Sequence, residues 1–255
     1  MCSSDLQIDS FGINIEKLNK SGANIAQVSP SHHFPTGIVM PIKRRQELLS
    51  WAGERKNRFI IEDDYDSEFR FSGKILATMQ SQDFASKVIY MNTFSKTLSP
   101  SFRISYMILP ERLSVEFEKK LGSYSCQVSS FEQFTLAKFI EEGHYEKHLN
   151  KMKNYYRGIR NDFINAIKKS KLSLISEIQE ENSGLHFILN VRTKYSGENL
   201  KKRLLEKKIN IALLSDYFHS DLNDSDKKTA FVVNYSALKK QCIEKAVDLF
   251  YECCL

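Results

Sequence analysis

A polar, lysine-bearing stretch between two apolar runs constrains this chain more than any other feature. Val88-Ile89-Tyr90-Met91 precedes it, and Ile104-Ser105-Tyr106-Met107-Ile108-Leu109 follows it. The stretch itself is Asn92-Thr93-Phe94-Ser95-Lys96-Thr97-Leu98-Ser99-Pro100-Ser101-Phe102-Arg103. Both flanking runs read as short, largely buried strands. A parallel return needs a crossover of about a dozen residues or more, usually helical. This connection is only twelve residues long and contains Pro100, which leaves little room for a crossover helix, so the two strands are expected to be antiparallel. Lys96 and Arg103 then share one end of a sheet, the position where open α/β sheets place ligand chemistry.

A second stretch belongs with the first. Arg58-Phe59-Ile60-Ile61 reads as a strand and runs into Glu62-Asp63-Asp64-Tyr65-Asp66-Ser67-Glu68-Phe69-Arg70. Three consecutive acids after a buried strand repel one another if all are buried, so one is expected to have a cationic partner. A protonated pyridine nitrogen would suit it, since a buried carboxylate keeps such a ring an electron sink. Lys96 would form a Schiff base to the same group, provided that desolvation or a neighbouring cation lowers its pKa. Arg103 and the hydroxyls of Thr93 and Ser95 would hold a phosphate.

These motifs carry a family resemblance. Residues 29–37 (SPSHHFPTG), 60–71 (IIEDDYDSEFRF) and 92–103 (NTFSKTLSPSFR), with 183–187 (SGLHF) downstream, occur in an order and spacing that resemble the aminotransferase-like domain of MocR/GabR-type transcription regulators. That domain is similar to fold-type I aminotransferases, which bind pyridoxal 5′-phosphate. The resemblance implies that Lys96 is the Schiff-base lysine and Asp63 pairs with the pyridine nitrogen. Tyr65 would hydrogen-bond the phenol oxygen, with Arg103, Thr93 and Ser95 on the phosphate. Asp64 rivals Asp63, because the strand's phase is not fixed by sequence. Phe34 stands where aminotransferases carry an Asn, and His32 and His33 either line the pocket or are satisfied by backbone.

The implied fold is α/β, fold-type I, with a partial large domain of mostly parallel sheet and a small carboxyl-terminal α+β domain. The expected divisions are a disordered or artefactual start over 1–24, a partial large domain over 25–143, a connecting helix over 144–171 and a small domain over 172–255. The resemblance is read over most of 25–255 and not over the amino terminus. Cys2-Ser3-Ser4-Asp5-Leu6 reads like the translated end of a sequencing adapter. The chain is therefore expected to be a carboxyl-terminal piece, lacking a helix-turn-helix, a linker, part of the large domain and the glycine-containing helix start that cradles the phosphate.

Along the chain, helices are expected at 41–56, 110–140 with a break near 123–130, 144–169, 197–207 and 239–251. Strands are expected at 26–29, 58–62, 87–92, 104–109, 172–178, 185–191, 209–214 and 230–235. The 144–169 helix has an apolar stripe at three- and four-residue spacing, from Tyr145 through Ile159 and Phe163 to Ile167.

Composition narrows the class. Five cysteines without paired spacing fit a reducing cytoplasm, and no signal peptide or membrane-spanning run is present. The net charge of +6 comes with lysines interleaved with acids, as in Glu198–Lys208, which reads as solvated helix rather than a nucleic-acid surface. The expected function is a pyridoxal-phosphate effector domain of a regulator, sensing an amine or amino acid, dimeric when full length, with DNA bound only through the missing amino-terminal domain. A class I/II aminotransferase enzyme is the alternative, and a cofactor-free remnant a third reading. Asp216 stands where the regulators carry a carboxylate-gripping Arg, so it is expected to repel a ligand carboxylate.

Overall fold

The computed structural model describes residues 6–71, 76–179, 184–218 and 228–255. The chain divides into two compact units. One holds the described residues within Met1–His33, Ile38–Glu68 and Lys74–Lys151; the other holds those within Phe34–Gly37, Phe69–Gly73 and Met152–Leu255.

The first unit begins with a two-stranded antiparallel ribbon, β1 (Ile8–Asp9) and β2 (Gly12–Ile13), and a short helix α1 (Ile15–Lys20). Asn14 caps α1 by accepting from the Lys17 N–H. A structureless start over 1–24 is therefore corrected for residues 8–20: Ile13 and Leu18 join a core cluster with Val28, Leu48, Trp51, Ile60 and Val88. Residues 1–5, which carry most of the adapter-like segment, lie outside the described residues.

The main sheet of this unit has the order β3 (Ile25–Val28), β4 (Phe59–Asp63), β5 (Val88–Thr93), β6 (Ser105–Ile108). The first two pairings are parallel and the third is antiparallel, the arrangement expected from the length of the 94–104 connection. One face of the sheet carries Ala26, Val28, Ile60 and Val88 against helix α2 (Ile42–Gly53) through Leu48, Trp51 and Ala52. Their burial supplies roughly 1.5–3 kcal/mol per large side chain. Pro41 precedes α2, where a missing N–H costs nothing.

A second expectation fails in this unit. Strand β6 is not buried: all four of its residues are exposed, Tyr106, Met107 and Ile108 among them. It is the last strand of the sheet, so neighbours cover it on one edge only. Arg45 of α2 is almost fully buried, which a charged side chain tolerates only when its donors are matched. Its guanidinium donates to the carbonyls of Met40, Ala77 and Pro30 at 2.8–2.9 Å. Beyond β6 come α3 (Glu111–Leu121) and α4 (Ser130–Glu141), broken where the sequence predicts.

Helix α5 (His144–Lys169) has the predicted bounds but not a core face along its whole length. Only its second half is buried, at Ile159, Phe163, Ile164 and Ile167. The boundary between the units falls inside it, between Lys151 and Met152, rather than at its two ends.

The second unit has an antiparallel sheet of order β7 (Ser176–Gln179), β8 (His186–Arg192), β10 (Lys228–Asn234), β9 (Ala212–Leu213). Helices α6 (Gly197–Glu206) and α7 (Ile243–Cys254) accompany it. Phe187 and Phe231 are fully buried on β8 and β10, and Phe231 meets Phe250 of α7 edge to face at 5.4 Å. The strand expected over 209–214 shrinks to two residues, because 214–217 wind into a 3-10 turn. The one expected over 172–178 starts late for the same reason: 171–174 form a 3-10 turn capped by Ser170. Among the described residues, no helix is long and apolar enough to cross a membrane.

Candidate cofactor site at the carboxyl ends of the parallel strands

Strands β4 and β5 are parallel with Asp63 opposite Met91, so their carboxyl ends lie side by side. Asp63 ends β4, and Tyr65 follows two residues on. Thr93 ends β5, and Ser95 and Lys96 follow. Because β6 runs antiparallel with Ser105 opposite Thr93, Arg103 enters that strand at the same end. Sheet topology therefore brings Asp63, Tyr65, Thr93, Ser95, Lys96 and Arg103 to one end of the sheet.

The loop that carries Lys96 is built by its own hydrogen bonds. The Phe94 N–H donates to the Ile104 carbonyl, Leu98 N–H to Phe94, and Phe102 N–H to Ser99. Thr97 is buried, and its hydroxyl accepts from Tyr145 O–H at 3.2 Å while its carbonyl lies 3.0 Å from His148 Nε2. The first turns of α5 thus clamp the residue after Lys96. Lys96 and Arg103 themselves are exposed. Neither has a hydrogen-bond or ion-pair partner among the described residues. Thr93 and Ser95 differ: their hydroxyls lie 3.1 Å apart, and Ser95 Oγ donates to the Phe102 carbonyl at 2.9 Å. As found they brace the loop, so a phosphate would have to draw them away.

Among the described residues, the three acids are held by hydrogen bonds and not by an ion pair. Glu62 is fully buried and accepts the N–H groups of Met79 and Gln80 at 2.8 and 2.9 Å. Burial still pushes its carboxyl above the usual range. Asp64 is buried and accepts from Tyr90 O–H and Ser67 O–H, both at 2.8 Å. Asp63 points to the opposite face of β4 from Glu62 and is only partly buried. Its carboxyl is also raised, by burial first and by the Asp64 charge second, with a hydrogen bond from Gln27 opposing. The strand phase left open by the sequence thus gives Asp64 to an internal network and leaves Asp63 accessible.

Two features were not legible in the sequence. His32 is buried, with its Nδ1 2.9 Å from Asp66 Oδ2 and 3.4 Å from Tyr65 O–H. The partner is an acid 34 residues away rather than backbone alone. Burial, then the Asp66 charge, raise the Tyr65 phenol above its ordinary value, so it remains a proton donor. Asn92 donates to both Glu68 and Tyr90 at 3.1 Å, extending the network behind Asp64. The alternation of Tyr90 and Asn92 on one face of β5 was the available signal.

Asp216 overturns its expected role. Its Oδ2 accepts from Lys201 Nζ at 2.7 Å and from the Leu213 N–H at 3.0 Å. It caps the 214–217 turn and is neutralised by a lysine, so it presents no free charge to repel a carboxylate. Ser183 of the downstream motif lies outside the described residues; Leu185 and His186 are buried, and His186 Nε2 is 3.1 Å from the Pro35 carbonyl.

Comparison with known proteins agrees with this fold. The family model for aminotransferase class I and II matches residues 4–249, so the likeness extends through the amino terminus instead of starting near residue 25. The uncharacterized HTH-type transcriptional regulator YdeL of Bacillus subtilis is 43% identical over 202 residues, covering 79% of this chain and 42% of that protein. The probable rhizopine catabolism regulatory protein MocR of Rhizobium meliloti is 33% identical over 216 residues, 84% of this chain and 43% of its own. Among solved structures, the kynurenine aminotransferase of Pyrococcus horikoshii, in complex with PMP, superposes with a TM-score of 0.81 at 21% identity. That match covers 97% of this chain and 62% of that one. The chain thus spans less than half the length of these two regulators.

Proposed function

The chain belongs to the aminotransferase class I and II family, and we propose that it is the pyridoxal-5′-phosphate-binding sensor portion of a bacterial transcription regulator. The regulator relatives support the role, and the family match supports the cofactor. The observation that carries the reading is the pair of exposed cations, Lys96 and Arg103, brought to the end of the sheet where Asp63 and Tyr65 also lie.

These groups fit that cofactor. When bound, it supplies an aldehyde that condenses with primary amines and a ring that accepts electron density. Lys96 offers the amine for covalent attachment. Asp63 holds a proton on the pyridine nitrogen, which its partial exposure at the end of β4 allows, whereas Asp64 is buried with its Oδ2 taken by Tyr90 and Ser67. Tyr65, close to the buried His32–Asp66 pair, donates its phenol proton to the ring oxygen. Arg103 anchors the phosphate by charge-assisted hydrogen bonds, with Thr93 and Ser95 beside it. An amine or amino acid that displaces Lys96 is the signal. The assembled regulator acts as a dimer in the cytoplasm and reads DNA through a helix-turn-helix of the kind its relatives are named for.

The test joins labelling to turnover. Borohydride reduction in the presence of pyridoxal 5′-phosphate is expected to place a pyridoxyl group on Lys96, with no keto acid released from common amino acids. A label on another lysine overturns the site. Turnover at roughly 1–1000 per second overturns the sensor role in favour of an aminotransferase.

A further inference from the structure

The second unit contains a cavity of about 330 Å³ that the cofactor reading does not use. Its lining includes Phe163 of α5, Ala246 and Phe250 of α7, and Phe34, Tyr217 and Val232. None of Asp63, Tyr65, Thr93, Ser95, Lys96 and Arg103 lines it. Two of its lining positions, Ala212 and Ala246, carry a single methyl group.

The chemistry of the wall selects the occupant. Among the described residues, none that lines it bears a charge. The nearest acid in sequence, Asp216, is turned back onto Lys201 and the Leu213 N–H. An ion entering such a space would lose its hydration without gaining a partner. An apolar ligand loses nothing comparable and gains dispersion contacts with the aromatic and aliphatic wall. Two amides, Asn210 and Asn234, supply polar handles. Asn234 Oδ1 is already held by the Ser236 N–H and O–H at 2.9 and 2.7 Å, so the group it has left to offer is its N–H₂ donor. An apolar cavity of about 150 Å³ accepts benzene, and the larger volume here has room for two fused rings. We propose that this cavity is a binding site for a small, neutral, two-ring-sized apolar molecule carrying a hydrogen-bond acceptor.

The test uses quinoline, which is neutral near pH 7.5 and has an acceptor nitrogen, and its charged analogue quinoline-2-carboxylate. Binding to the 255-residue chain is measured by calorimetry without pyridoxal 5′-phosphate, so a failure here leaves the cofactor reading untouched. Quinoline is expected to bind saturably, with intermolecular NOEs to the Ala212 and Ala246 methyl groups. The carboxylate is expected to bind at least tenfold more weakly. Ala246→Leu fills the cavity and is expected to weaken quinoline at least tenfold; Ala212→Leu is the second variant should the first fail to fold, and the wild-type NOEs decide if both fail. No saturable binding, NOEs elsewhere, undiminished binding to the filled variants, or equal binding of the carboxylate each overturns the proposal.

Discussion

Tyr90 donates its phenol proton to Asp64 Oδ2 at 2.8 Å, across two adjacent parallel strands. This bond separates the roles of two neighbouring acids. Asp64→Ala leaves the hydroxyls of Tyr90 and Ser67 without their acceptor and is expected to cost about 3 kcal/mol of stability. Asp63→Asn keeps an acceptor oxygen for Gln27 and is expected to cost under about 1 kcal/mol, while weakening pyridoxal 5′-phosphate about 10- to 100-fold through loss of one charged hydrogen bond. Urea midpoints and cofactor titrations on both variants check this. The reverse pattern would give the pyridine contact to Asp64.

Lys96 is exposed and unpartnered among the described residues, so removing it should leave the fold intact. Lys96→Ala is expected to abolish the visible absorbance of the cofactor-loaded protein with a change in stability within about 0.5 kcal/mol. Retention of the band in a folded variant excludes Lys96 as the attachment point.

Glu68 gives a pH prediction. Burial raises its carboxyl above the ordinary 4.5, and Asp64 and Asp66 add to the shift against the Asn92 hydrogen bond. The fold therefore favours the protonated form. Its contribution is fully present below pH 4.5 and is lost as pH rises through the raised folded value. Glu68→Gln removes the titration, so the variant is expected to gain stability relative to wild type as pH increases from 4.5 to about 7. A stability difference that stays flat across that range contradicts the assignment.

Asp216→Ala is expected to destabilise the chain by about 1 kcal/mol, by uncapping the 214–217 turn and freeing Lys201. It is not expected to improve binding of ligands that carry a carboxylate, since the acid is already paired. Tighter binding of amino acids by this variant would restore the repulsion argument.

The strands and the loop that frame the candidate site were legible because their signals are local. An apolar run, a polar lysine loop and a second apolar run dictate strand, turn and antiparallel strand whatever surrounds them. The acidic motif at the end of β4 and the family resemblance of three spaced stretches then name the chemistry. The bounds of α5 and the start of α2 were equally local, whereas α2 ends at Gly53, three residues before the expected end.

What only the tertiary structure decided depends on partners distant in sequence. The phase of Asp63 and Asp64 follows from the register of β4 against β5. Asp216 is a cap and not a repelling acid because Lys201 reaches it from a neighbouring helix. His32 finds Asp66 across 34 residues, and Arg45 is buried because three loop carbonyls converge on it. Strand β6 is as apolar in sequence as β5, yet exposed, because composition records what a strand could bury and the fold supplies what covers it. Residues 8–20 were misread for the same reason: elements of two to six residues carry little periodicity, and packing against a core made elsewhere in the chain holds them.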